Sequence, residues 1–110
     1  MFKLVRDKIP EIMLKEGKNP ITKTIKDDAE YFSALTDKLL EEVQEFIVAS
    51  AENNNKHAMH ELADIAEVVE AICAFKKYQA DVIEGYKVAK KQERGGFEKR
   101  ILLESHHKEN

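Results

Sequence analysis

The chain has 110 residues, enough for one domain and too few for two, and its 43% hydrophobic and 35% charged residues are typical of a helix-rich protein with a real core. The formal net charge of −3 argues against a broad nucleic-acid-binding surface, so we expect no nucleic-acid polymer as partner. No apolar run approaches the roughly 20 residues of a membrane span and no signal peptide is evident, so we expect a cytoplasmic protein with no membrane partner.

Two helices are predicted in the first half of the chain. Pro10 suits the first turn of a short helix, which Gly17 then ends. After a connector, the second helix is predicted over Asp28–Ala51, with Asp27 or Asp28 as its N-cap.

Two more helices are predicted in the second half. The third runs over about Lys56–Tyr78, and an asparagine of the polar break just before it caps its start. The fourth is short and basic, begins after Tyr78–Asp81 and ends at about Glu93, before a glycine pair. Ile101-Leu102-Leu103 is predicted as a short extended piece that packs. The pattern as a whole predicts an all-α fold of about four helices.

Acidic residues interrupt the apolar stripes of the two long helices. Glu42 follows Leu39 by three positions and Leu35 by seven, so it lies on the core-facing stripe of the second helix. Glu45 lies next to it on the same helix face. Ordinary surface acids do not occupy such positions, because burying an unpaired carboxylate is costly.

The third helix repeats this arrangement. Glu61 lies in an apolar row that runs from Ala58 to Ile72, and Asp64 leads into the neighbouring row. If the two helices pack together, Glu42, Glu45, Glu61 and Asp64 converge on one point, and a cation is needed to make that arrangement tolerable.

Three interpretations of these acids compete. An all-oxygen ligand set suits a hard divalent cation, Mg²⁺ or alternatively Mn²⁺. A di-iron centre requires Glu-x-x-His motifs, and neither acid pair carries the histidine. Ion pairs on a solvated helix face explain a single Glu-x-x-Glu, but two pairs on consecutive helices, both interrupting apolar stripes, favour the metal.

The histidines have no spacing typical of zinc binding or nucleophilic catalysis. His57 and His60 are expected on the exposed side of the first turn of the third helix, and His106 and His107 lie near the end of the sequence.

The spacing of the acids resembles that of a known superfamily. Glu41-Glu42-x-x-Glu45 followed by Glu61-x-x-Asp64 is similar to the motif of the all-α nucleoside triphosphate pyrophosphatases. The opening Lys3–Pro10 (KLVRDKIP) and the later Arg94–Phe97 (RGGF) resemble its small single-domain subgroup, called MazG-like or phosphoribosyl-ATP pyrophosphohydrolase-like.

This resemblance implies an architecture and an activity. The architecture is a MazG-like helical bundle, one domain over residues 1–110, whose core is completed in a homodimer or a dimer of dimers. The activity is Mg²⁺-dependent hydrolysis of a nucleoside triphosphate between its α- and β-phosphates to the monophosphate and pyrophosphate, as a house-cleaning reaction. The alternatives are a phosphoribosyl-ATP pyrophosphohydrolase and a non-catalytic dimerisation or regulatory module.

The resemblance also implies roles for individual residues. The metal ligands would be Glu42, Glu45, Glu61 and Asp64. The catalytic candidates are Glu41, Glu42 and Glu45, with Glu41 orienting the attacking water and a carboxylate not fully engaged by metal accepting its proton. Candidates for binding the phosphates are the later cations Lys87, Lys91, Arg94 and Arg100, with Arg6 and Lys8 as weaker ones.

Overall fold

Four helices account for the regular structure of residues 2–105, the part of the chain that this computed structural model describes. They are α1 (Ile9–Lys15), α2 (Asp28–Ala51), α3 (Asn55–Lys76) and α4 (Ala80–Arg94). The described residues contain no strand, so the prediction of an all-α fold is confirmed. None of these helices combines the length and the apolar character that crossing a membrane would require.

Local side-chain chemistry sets the helix ends. The Asp27 carboxylate accepts a hydrogen bond of 2.8 Å from the backbone N–H of Glu30, and this bond caps α2. The Asn54 side chain accepts one of 3.1 Å from the N–H of His57 and caps α3 in the same way. Lys77 has a left-handed backbone with φ of 61°, which ends α3 two residues before the end predicted from the sequence.

The chain divides into two compact units, Met1–Tyr78 and Gln79–Asn110. The first unit contains α1, α2 and α3, and the second contains α4 and the segment after it. The assignment of one domain to residues 1–110 stays a prediction.

Helices α2 and α3 form an antiparallel pair in the first unit. The connection between them is only three residues long, Glu52–Asn54. The ring of Tyr31, near the start of α2, lies 5.1 Å from that of Phe75, near the end of α3, which fixes the opposite direction of the two helices. The buried hydrophobic residues of the described chain come from these two helices and are Leu35, Ala49, Ala58 and Val68.

The second unit buries little. No residue of α4 is buried. The prediction that Ile101-Leu102-Leu103 packs is wrong for this chain by itself, because these three side chains are 78%, 96% and 78% exposed. An apolar tripeptide packs only where a neighbouring surface covers it, and residues 79–105 of its own unit supply none.

Candidate metal centre

The packing of α2 against α3 brings five acidic side chains together. One carboxylate oxygen from each of Glu41, Glu42 and Glu45 lies within 4.8 Å of the others, and the same holds for Glu42, Glu61 and Asp64. Glu42 belongs to both groups and therefore joins them. Glu42 and Glu61 are only 4% and 6% exposed, although both are acids. Every acid that the sequence singled out thus lies in one cluster.

Two buried oxygens at the centre of this cluster have no hydrogen-bond donor among the described side chains. They are Oε2 of Glu42 and Oε2 of Glu61. A buried polar atom without a partner costs free energy, and a buried charge costs more. The arrangement fits a divalent cation, because carboxylate oxygens are the ligands that hard ions prefer and a cation would compensate both buried oxygens.

A shared proton is the other way to satisfy these oxygens. The hydrogen bond that a protonated Glu61 makes to Glu42, together with burial, raises the pKa of Glu61 to about 8. Burial pushes the pKa of Glu42 upward, but its hydrogen bonds with Glu61 and Lys38 outweigh burial and lower that pKa. In the absence of metal we therefore expect the two neighbouring carboxyl groups to share one proton at neutral pH, held mainly by Glu61.

The raised pKa of Glu61 predicts an unusual pH dependence of stability. The folded chain holds this proton more tightly than the unfolded chain, whose glutamate has a pKa near 4.5. Its stabilising contribution is therefore complete below that value and is lost as the pH rises through about 8. We expect the free energy of unfolding, measured by urea denaturation in EDTA, to fall between pH 5.5 and pH 9, in a window set by these two pKa values ~4.5 and ~8.

Glu61→Gln is the matched control for this prediction, because glutamine has the shape of the protonated acid and does not titrate. The variant should lose most of the decline in stability across the same pH range. An equal decline in the variant and the natural chain would show that Glu61 does not cause it.

Two lysines form ion pairs with the acids of α2. Nζ of Lys38 lies 3.1 Å from Oε1 of Glu42 and 3.6 Å from Oε1 of Glu41. Nζ of Lys3 lies 3.1 Å from the same oxygen of Glu41, and this hydrogen bond and charge raise the pKa of Lys3. Lys38 was not among the predicted site residues, although its spacing of three and four residues from the two acids is typical of a helical ion pair.

Two further side chains reach the acids of α3. Nη2 of Arg6 lies 2.6 Å from Oδ1 of Asp64, across 58 positions of sequence. Nε2 of His57 lies 3.0 Å from Oε1 of Glu61, one helical turn away. His57 is 56% exposed, as predicted, but its contact with the cluster was not predicted. His60 is exposed, and His106 and His107 lie outside the described residues.

The predicted phosphate-binding cations belong to the second unit. Lys87, Lys91 and Arg94 lie on α4, Arg100 lies in the segment after it, and all four are exposed. The only ion pair among them within residues 79–105 is between Lys87 and Glu84, at 3.6 Å. Their role toward phosphate stays a prediction.

An antiparallel helix pair that buries two glutamates within a five-acid cluster defines a class of protein: all-α, with an oxygen-only site suited to a divalent cation. The family model described as phosphoribosyl-ATP pyrophosphohydrolase matches residues 14–83, which include α2 and α3 entirely. The chain therefore belongs to the phosphoribosyl-ATP pyrophosphohydrolase family, within the MazG-like all-α nucleoside triphosphate pyrophosphatases. This family is typically metal-dependent, in keeping with the cluster of acidic side chains.

One curated relative is similar to part of the chain. It is an uncharacterized protein from Mycolicibacterium smegmatis, 49% identical over 49 residues. The match covers 44% of this chain and 49% of the relative, so the chain spans about half the length of that protein. No solved structure matches the chain.

Proposed function

We propose that this protein is a Mg²⁺-dependent nucleoside triphosphate pyrophosphohydrolase that releases pyrophosphate and a nucleoside monophosphate. The observation that carries the proposal is the pair of buried glutamates, Glu42 and Glu61, each with an oxygen that has no donor among the described side chains. A protein keeps such a costly pair where a bound cation compensates it, and hydrolysis of a phosphoanhydride is the chemistry of this family.

The residues that would hold Mg²⁺ are Glu42, Glu45, Glu61 and Asp64, with Mn²⁺ as a possible substitute. The bound cation would neutralise charge on the phosphoanhydride. Carboxylate oxygens from all four lie within the two overlapping groups that Glu42 joins.

The acids of α2 would handle the attacking water. Glu41 lies at the exposed edge of the cluster, and Lys3 and Lys38 hold one of its oxygens at 3.1 and 3.6 Å. Such a fixed carboxylate can orient a water by accepting its hydrogen bond. The carboxylate that coordinates the metal least can then accept the proton of this water, and the candidates are Glu41, Glu42 and Glu45.

Assembly as a homodimer or a dimer of dimers forms part of the proposal. Apolar side chains on α2 and α3 are exposed in the single chain, among them Leu40 at 69%, Met59 at 64% and Leu62 at 50%. Burying such side chains against a second copy would add to a core that contains few buried residues.

The leaving pyrophosphate would be bound by the exposed cations Lys87, Lys91, Arg94 and Arg100. The proposed location of the protein is the cytoplasm.

Phosphoribosyl-ATP is the second candidate substrate, because the matching family model carries that description. It contains the same α–β phosphoanhydride, so the acid cluster does not distinguish the two substrates. A non-catalytic dimerisation module is disfavoured, since it would retain the cost of two buried acids without using them.

A panel of substrates tests the proposal. The chain should release pyrophosphate from at least one nucleoside triphosphate or from phosphoribosyl-ATP in Mg²⁺, and release should stop in EDTA. Release from phosphoribosyl-ATP alone would select the second candidate. No release from any of these compounds, by a folded chain in millimolar Mg²⁺, would overturn the enzymatic proposal.

A further inference from the structure

The N-terminal segment, residues 2–8, brings two cations to the edge of the acid cluster. Arg6 contacts Asp64 on α3, and Lys3 contacts Glu41 on α2. The segment therefore crosses from one acid-bearing helix to the other, although it has no helical or strand structure of its own.

Arg6 is fixed from several sides. Its carbonyl accepts a hydrogen bond of 3.1 Å from the N–H of Ile9, at the start of α1. Its guanidinium donates to Asp64 at 2.6 Å. At the other end of the segment, the Nζ of Lys23 lies 4.9 Å from the centre of the Phe2 ring, a cation–π contact. These contacts hold the backbone of the segment at both of its ends, and the ion pair with Asp64 holds the guanidinium.

Most of the hydrogen-bonding capacity of Arg6 remains available. A guanidinium has five N–H donors in a planar fork, and the bond to Asp64 uses one of them. The side chain is 57% exposed and makes no other side-chain hydrogen bond within residues 2–105, so it can be reached from solvent at the edge of the cluster. A planar cation with free donors beside a metal-binding carboxylate is suited to phosphate oxygens, which it can bind in bidentate fashion.

We propose that Arg6 binds phosphate oxygens of the substrate's polyphosphate group, and that Asp64 positions it for this contact. This inference rests on the proposed function. A polyphosphate held at a cluster of five carboxylates would be repelled by any acid that is not compensated, and Arg6 supplies a compensating charge from outside the helix pair. The N-terminal segment is then a part of the active site.

Arg6→Gln tests this inference, with Lys15→Gln as the matched control. Lys15 is the last residue of α1, is exposed and forms no ion pair within residues 2–105, so its replacement removes the same charge without such a contact. We expect Arg6→Gln to weaken the binding of inorganic pyrophosphate in Mg²⁺ at least tenfold by calorimetry, and Lys15→Gln to weaken it less than threefold.

Binding of Mn²⁺ without pyrophosphate separates this role from a purely structural one. Arg6→Gln should bind Mn²⁺ as tightly as the natural chain or more tightly, because it removes a cation beside Asp64. Weaker Mn²⁺ binding together with a lower melting temperature would mean that Arg6 only maintains the structure, and would overturn the inference. Unchanged binding of pyrophosphate by Arg6→Gln would overturn it as well. Neither outcome for Arg6→Gln would affect the proposed function, as long as the natural chain hydrolyses a substrate of the panel. Failure of the natural chain to hydrolyse any substrate of the panel would overturn both the proposed function and this inference.

Discussion

Replacing Glu61 with glutamine is expected to reduce pyrophosphate release at least about a hundredfold while the chain remains folded. Glu61 is 6% exposed, and one of its oxygens has no donor among the described side chains. Glutamine keeps the size of the side chain but replaces one anionic oxygen by an amide group, which cannot act as a carboxylate ligand. The rate of pyrophosphate release under saturating Mg²⁺ measures the effect directly.

The same substitution should increase the stability of the metal-free chain, although it reduces activity. The hydrogen bond with Glu42 and burial raise the pKa of Glu61 to about 8, so ionising Glu61 opposes folding, and the neutral amide removes that cost. In EDTA at pH 9, Glu61→Gln should therefore be more stable to urea than the natural chain. An ordinary structural glutamate would show the reverse, a loss of stability when its ion pairs are removed.

Glu67→Gln is the matched control for both effects. Glu67 lies on α3, is exposed and belongs to neither acid group. Its replacement should leave turnover and stability nearly unchanged, as expected for an exposed position. If Glu61→Gln kept full turnover, the proposed role of the cluster in catalysis would be wrong.

Mg²⁺ is expected to stabilise the folded chain substantially. A ligand that binds only the folded state at ~100 times its dissociation constant adds about 2.7 kcal/mol. For a protein of this size that corresponds to a rise in melting temperature of roughly 10 °C. The physical cause is the repulsion among the clustered carboxylates, which the cation replaces by attraction. Differential scanning calorimetry in EDTA and in millimolar Mg²⁺ measures the shift.

Two controls make the calorimetric result specific. KCl at matched ionic strength should shift the melting temperature much less, because screening does not satisfy the buried oxygens of Glu42 and Glu61. Glu61→Gln should lose most of the shift, whereas Glu67→Gln should retain it. Equal shifts in the natural chain and in Glu61→Gln would place the Mg²⁺ effect somewhere other than this cluster.

Much of the fold follows from local sequence chemistry. The bounds of α2 are those predicted, Asp28–Ala51, because Asp27 caps its start and the polar break of Glu52–Asn54 ends it. The predicted end of α3 was two residues too late, because Lys77 adopts a left-handed conformation and ends the helix. Glycine or asparagine usually occupies such a position, and neither is present here to indicate the helix end. Local signals thus place helices well where a capping side chain is present.

The acids of the candidate site were also visible in the sequence, and for a clear reason. A period of 3.6 residues determines which side chains share one face of a helix, so the position of an acid in an apolar row predicts that it is buried or functional. The prediction that Glu42 and Glu61 interrupt core-facing rows agrees with their exposures of 4% and 6%. Their roles as ligands stay predictions.

The sequence by itself therefore determined the helices, their apolar faces and the acids that interrupt them, because each of these depends on residues within a few turns of one another. Only the tertiary structure decided which groups meet the acids. Arg6 reaches Asp64 across 58 positions, and Lys3 reaches Glu41 across 38. Contacts over such separations depend on where an irregular segment crosses a packed helix pair, and no periodicity along the chain encodes that path.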